Sequence, residues 1–166
     1  MKKFVLLFML LTILPACKSK KSVTEKKVNA SEIKNTENSS LENNLVNYAL
    51  TFDGVKYKYG GTTKKGMDCS GLVFTSYKKF DIDVPRTTKD LSKTGDWIDL
   101  KDVKPGDLLF FATHKNSRKI NHVGIVTNTA VGNIEFIHAS TSNGVIVSNL
   151  AERYWYFAFV QARRIL

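Results

Sequence analysis

Apolar positions fall into three zones along the chain: a dense run from Phe4 to Leu14, a gap to about Ser40, and a regular supply from Leu41 to Leu166. Leu41, Leu45, Tyr48 and Phe52 recur three or four residues apart, a spacing that lines one face of a helix. Ser39 and Glu42 stand at capping-box spacing ahead of it, and Asp53-Gly54 stops it. Val55 to Gly61 alternates and then breaks at two glycines. A second helix is predicted to open at Asp68, a favoured N-cap residue, and to bury Val73, Tyr77 and Phe80 along one face. A third, shorter helix is predicted after Pro85, over Thr87 to Gly95. Beyond the turn signal Pro105-Gly106 the texture changes to short runs rich in Val, Ile, Phe and Tyr: Leu108 to Ala112, His122 to Thr127, Ile134 to His138, Val145 to Val147 and Trp155 to Ala162. Their connections are too short for crossover helices, so the sheet is expected to be antiparallel. Helices first and strands afterwards predict an α+β domain, with the N-terminal helices packed on one side of a sheet of about five to six strands.

The first zone is an address. Lys2 and Lys3 precede a largely apolar run of eleven residues, Phe4 to Leu14, too few to cross a hydrocarbon core, which needs roughly 20 in a helix. This is the layout of an export signal, and Leu14-Pro15-Ala16-Cys17 resembles the bacterial lipoprotein signal. By that resemblance residues 1–16 are removed and Cys17 is acylated, giving a membrane anchor through several acyl chains. Lys18 follows where an aspartate would point to inner-membrane retention, so the expected location is the outer membrane, facing the periplasm. Residues 17–40 carry Lys, Asn, Ser, Thr and Glu but no aromatic residue, too little apolar surface to offset ordering entropy. As a flexible tether they would span roughly 25–30 Å on average.

Composition narrows the rest. At 166 residues, with 43% hydrophobic and 24% charged positions, the chain holds one globular domain, over 41–166. Two cysteines exclude a disulfide scaffold and any cysteine-built zinc site, and no metal or organic cofactor is expected. The net charge of +10 is scattered, without the arginine stripe of a nucleic-acid binder; it suits an anionic envelope polymer. The chain is expected to act as a monomer.

Cys69 lies in Met67-Asp68-Cys69-Ser70-Gly71. With Asp68 as cap, the thiol falls in the first helical turn, where the helix terminus favours a thiolate. The pattern alone is also open to a buried, inert cysteine. A nucleophilic thiolate needs a base, and there are three histidines. His122 opens one apolar run and His138 ends the next. If these form a hairpin about Val131-Gly132, both rings lie at the end away from the turn. If register also sets them on one face, they meet, one as base and the other orienting it. His114 falls in the basic stretch His114-Lys115-Asn116-Ser117-Arg118-Lys119 and reads as a solvated loop.

Asp68-Cys69-Ser70-Gly71, His122-Val123-Gly124-Ile125 and Phe136-Ile137-His138-Ala139 resemble the three motifs of the NlpC/P60 cysteine peptidases. Gly54-Val55-Lys56-Tyr57-Lys58-Tyr59-Gly60-Gly61, Pro85-Arg86-Thr87-Thr88 and Pro105-Gly106-Asp107-Leu108 match as well, in order, so the likeness covers roughly residues 45–166. The resemblance implies a papain-like fold and hydrolysis of an amide bond in the stem peptide or cross-link of peptidoglycan. It implies Cys69 as nucleophile, His122 as general base and His138 as the group orienting it. It also implies Tyr57 near the oxyanion or in the cleft, and Asp68, Ser70 and Arg86 at the substrate subsites. An amidase or acyltransferase on the same scaffold, and a catalytically silent wall-binding lipoprotein, are the alternatives.

Overall fold

The computed structural model describes residues 41–166; the leader, Cys17, the tether and Ser39 lie outside the described residues. Helix α1 crosses residues 41–50 and buries Leu45, Val46 and Ala49. Strands β1 (Thr62–Thr63) and β2 (Gly66–Met67) form a small hairpin that delivers the chain into α2 (Cys69–Lys78). Helix α2 buries Leu72, Val73 and Tyr77; Val73 and Tyr77 were predicted from spacing, whereas Phe80, predicted with them, lies past the end of the helix and is half-buried. Tyr77 is fully buried and its hydroxyl donates to Gly106 O at 2.9 Å, which satisfies the one polar atom of an otherwise apolar ring and pins α2 to the turn before β4.

The third predicted helix is shorter than expected. Helix α3 runs Thr88–Leu91, with Thr87 as cap accepting from Asp90 N at 3.2 Å. A turn at Gly95 then leads into β3 (Asp96–Ile98), a strand with no clear signal in the sequence. Strands β4 (Leu108–Phe111), β5 (His122–Ala130), β6 (Asn133–Ser140), β7 (Gly144–Asn149) and β8 (Phe159–Arg164) complete an antiparallel sheet in the order β3-β8-β4-β5-β6-β7. The expected hairpin is present, with Ala130 opposite Asn133 and Gly132 at φ +72° in its turn.

The sheet is covered on both faces, whereas the sequence predicted helices on one. All four residues of β4 are buried because they alternate between two cores. Leu108 and Phe110 join α1 and α2 with Val123, Ile125, Ile137 and Ala139. Leu109 and Phe111 join Val126, Phe136, Trp155 and Ala162 on the other side. That second face is closed by α4 (Arg153–Ala158), a helix over residues predicted as strand. Its aromatic content reads as β, but Trp155 and Ala158, three residues apart, are its buried positions, and burying that pair against the sheet overrides local preference. Asp107, 3% exposed, ties this layer together. Its carboxylate accepts from Arg164 Nε and Nη2 at 2.8 and 2.7 Å and from Lys104 N at 2.7 Å. No described helix is long and apolar enough to cross a membrane.

Candidate active site

The tip of α2 is organised by a saturated carboxylate. Asp68 caps the helix by accepting from Gly71 N at 2.6 Å and also accepts from Gly60 N at 2.7 Å. Arg86 reaches it at 3.0 Å and also donates to Ser70 Oγ at 2.8 Å and Gly61 O at 3.4 Å. Burial pushes the Asp68 carboxyl up, but Arg86 and the amides of Gly71 and Gly60 outweigh it and hold the group below its ordinary value. The three residues expected at the substrate subsites are thus brought together. Asp68 and Ser70 are buried and committed to one another through Arg86, so their first role is to shape the turn that presents Cys69.

Cys69 occupies the first helical position, and its amide donates to nothing among the described residues, as expected for an orphan donor of a helix start. Its Sγ lies 3.6 Å from Thr88 Oγ1, and the amides of Val123 and Ser70 also favour its ionised form. Thr88, the last residue of the Pro85-Arg86-Thr87-Thr88 motif, supplies the hydroxyl on the sulfur. The sequence predicts a thiolate, and here the structure differs. Burial is the largest influence and pushes the Cys69 thiol up, Asp68 adds to it, and the donors named do not compensate. A helix terminus stabilises a thiolate only as far as desolvation allows. Tyr57 stands on the same side, its phenol pushed up by burial first and then by Cys69 and Asp68.

The histidines meet because β5 carries one extra residue. Ile125 faces Ile137 and Val126 faces Phe136, yet Asn128 faces Glu135, so Thr127 is unpaired in a β-bulge. Its buried hydroxyl has no partner among the described residues. Continued without the bulge, the register of the hairpin tip would set His138 opposite Ile125, and the two rings would lie on opposite faces. With the bulge they share a face as diagonal neighbours, and His122 Nε2 lies 3.0 Å from His138 Nδ1. His138 Nε2 continues to Ser148 Oγ on β7 at 2.9 Å. Gly124 leaves the room, since a Cβ there would come within 2.6 Å of Phe136 and 3.3 Å of His138 Cβ. Trp155 roofs the pair, its ring centroid 5.5 Å from His122 and 4.6 Å from His138.

Burial pushes His122 down to about 4, and burial with the neighbouring His122 pushes His138 down to about 3. Both rings are therefore neutral near pH 7. His122 Nδ1 takes no partner among the described residues. It is the nitrogen left to act as a base. No hydrogen bond joins either ring to Cys69; the link is the His122-Val123 peptide, whose amide reaches the sulfur. Ser148 and Trp155 lie outside the motifs, and only the strand register could have brought them in. Among the described residues no group of three or more His, Cys, Asp or Glu side chains could hold a metal.

The family model described as NlpC/P60 family matches residues 54–164. The "Probable endopeptidase NlpC" of Escherichia coli K12 is 45% identical over 116 residues, covering 69% of this chain and 72% of that protein. The "Murein DD-endopeptidase MepS/Murein LD-carboxypeptidase" of the same strain is 37% identical over 130 residues, covering 78% of this chain and 65% of that one. A "Probable endopeptidase NlpC homolog" of Haemophilus influenzae is 43% identical, but the match spans only 57% of its length. Among solved structures, an NlpC/P60 family protein from Bacillus cereus superposes with a TM-score of 0.69 at 29% identity, over 75% of this chain and 40% of that one. With its motifs gathered in order about one cysteine and a histidine pair, the chain belongs to the NlpC/P60 family.

Proposed function

We propose that this chain is a peptidoglycan endopeptidase of the bacterial cell envelope, a cysteine peptidase that cleaves an amide bond in the stem peptide or cross-link. The observation that carries the reading is the chain His122–His138–Ser148 on the sheet, with the amide of Val123, next to His122, reaching the free Cys69 at a capped helix tip. The names of the relatives point the same way. In this mechanism His122 Nδ1 takes the thiol proton as Sγ attacks the amide carbonyl carbon, with His122 held by His138. The Cys69 amide holds the developing oxyanion, with Tyr57 beside it. His122 passes the proton to the leaving amine as the C–N bond breaks. Water then attacks the thioester, gives its proton to His122, and the thiol is restored as the acid departs. Because the thiol starts neutral, proton removal accompanies substrate arrival. Arg86, with Asp68 and Ser70 behind it, lines the substrate end.

Cys17 carries the lipid anchor in this reading, and residues 17–40 let a monomeric head work the wall from the outer membrane. Incorporation of a fatty-acid label that is lost in Cys17→Ala tests the anchor. Digestion of defined cross-linked muropeptides, followed by mass spectrometry, tests the activity. New peptide termini, absent with Cys69→Ala in a chain that still folds, support it. Detached acyl groups instead of new termini, or full activity in Cys69→Ala, overturn it.

A further inference from the structure

The histidine relay does not end at His138. Strands β5, β6 and β7 pair in sequence, with Phe136 opposite Ser148 and His138 opposite Ile146, so His138 and Ser148 are diagonal neighbours on the face that also carries His122. His138 is fully buried and Ser148 is 8% exposed. The Ser148 hydroxyl is the only partner of His138 Nε2 among the described residues, at 2.9 Å. Around them are Phe136, 5.0 Å from His138 between ring centroids, and Trp155 at 4.6 Å; neither side chain can accept a ring proton there.

A neutral imidazole carries one N–H and one lone pair, so each bond in this chain fixes the direction of the next. If His138 holds its proton on Nε2 and donates to Ser148 Oγ, its Nδ1 must accept. His122 then holds its proton on Nε2, donates to His138, and keeps its Nδ1 lone pair free. Reversed, the Ser148 hydroxyl donates to His138 Nε2, His138 Nδ1 donates to His122 Nε2, the proton of His122 sits on Nδ1, and that ring is no base. Both rings are neutral near pH 7, so one of these two states holds.

We propose that Ser148 is a positioning residue: among the described residues its hydroxyl is the acceptor that His138 Nε2 has, and by accepting there it holds both histidines in the tautomer in which His122 Nδ1 can take the thiol proton. The proposal rests on the peptidase reading for its consequence but not for its geometry. Without that acceptor, His138 would bury an unpaired N–H, the costly side of losing a hydrogen bond, and the alternative tautomer would gain population.

The test uses Ser148→Val and Ser148→Thr, nearly equal in shape and different in the hydroxyl, with Ser148→Ala as a third variant should the β-branched pair fail to fold. Nitrogen-15 spectra of the labelled full chain at pH 7 report which ring nitrogen of each histidine is protonated, whether or not the chain turns over. The expected pattern is protonated Nε2 on both rings in the unsubstituted chain and in Ser148→Thr, and mixed or reversed tautomers in Ser148→Val or Ser148→Ala. On muropeptides the hydroxyl-free variants lose about tenfold in kcat with KM unchanged, and Ser148→Thr retains it. Protonated Nδ1 on His138 in the unsubstituted chain overturns the proposal, as does a hydroxyl-free variant with unaltered ring patterns and kcat. Failure of the peptidase reading looks different: no turnover by the unsubstituted chain, with the spectra still informative.

Discussion

The tip of α2 and the shared face of β5, β6 and β7 each hold half of the site, and they reach their geometry by different means. At the tip, the cap that places the thiol is local: Asp68 caps Gly71 three residues on, and Cys69 follows the cap directly, with Arg86 and Thr88 added from the next turn of chain. On the sheet, three residues from three strands meet only because one strand carries an unpaired Thr127. A helix cap tolerates much elsewhere in the molecule, whereas strand register is all-or-none, because a slip by one residue turns every side chain over. The two halves also differ electrostatically. Asp68 is held ionised by Arg86 and two amides, while the thiol and both rings are held neutral by burial.

The sharpest way to break the sheet half is His122→Asn, which keeps a polar side chain but removes the base. Activity on muropeptides is expected to fall about 10²–10⁴-fold, with the thermal midpoint showing that the fold survives. Deleting Thr127 tests the bulge itself. Val126 opposite Phe136 and Asn128 opposite Glu135 become consecutive pairs, so both rings stay on one face and activity is expected to survive. Loss of activity, with circular dichroism showing the fold intact, would mean that the local twist of the bulge and not register alone places the rings. Asp107→Ala probes a contact that serves neither half directly. It leaves Arg164 with the Asp102 carbonyl in place of its carboxylate partner and is expected to cost about 3 kcal/mol in urea unfolding, with kcat per folded molecule unchanged.

Two further measurements separate the halves by pH. Both histidines bind their proton less readily folded than unfolded, so the unfolded chain takes up more protons below the ordinary imidazole value of 6.5. Stability from this source is fully present above that pH and is lost as pH falls toward about 4 for His122 and about 3 for His138. A thermal midpoint that drops through this window, and drops less in His138→Gln, is the expected result. The smallest effect is at the tip. Iodoacetamide should alkylate Cys69 at pH 7 no faster than an ordinary free cysteine, its rate rising only in alkaline solution. Rapid labelling at pH 6 would restore the thiolate that the helix terminus alone suggests.

What was legible in the chain follows the same division. The cap at Asp68, Val73 and Tyr77 on the buried face of α2, the hairpin at Val131-Gly132 and the first four of the five β-rich runs are short-range patterns and appear where expected. Helix α4 was not legible, because an aromatic-rich hexamer favours strand until Trp155 finds a second core to fill. Strand β3 was not either: three residues pair with β8 at the sheet edge without a pattern of their own. The charge state of Cys69 was misjudged from the helix tip because desolvation depends on what packs over the sulfur.

Sequence alone determined the family, the nucleophile's place one residue after a cap, and the presence of two histidines at matching hairpin ends, since each depends on residues a few positions apart. Tertiary structure alone decided that those rings share a face, that Ser148 terminates their chain, and that Trp155 and the second core keep them neutral. Pairing register and burial are properties of distant segments meeting, and no local spacing encodes them.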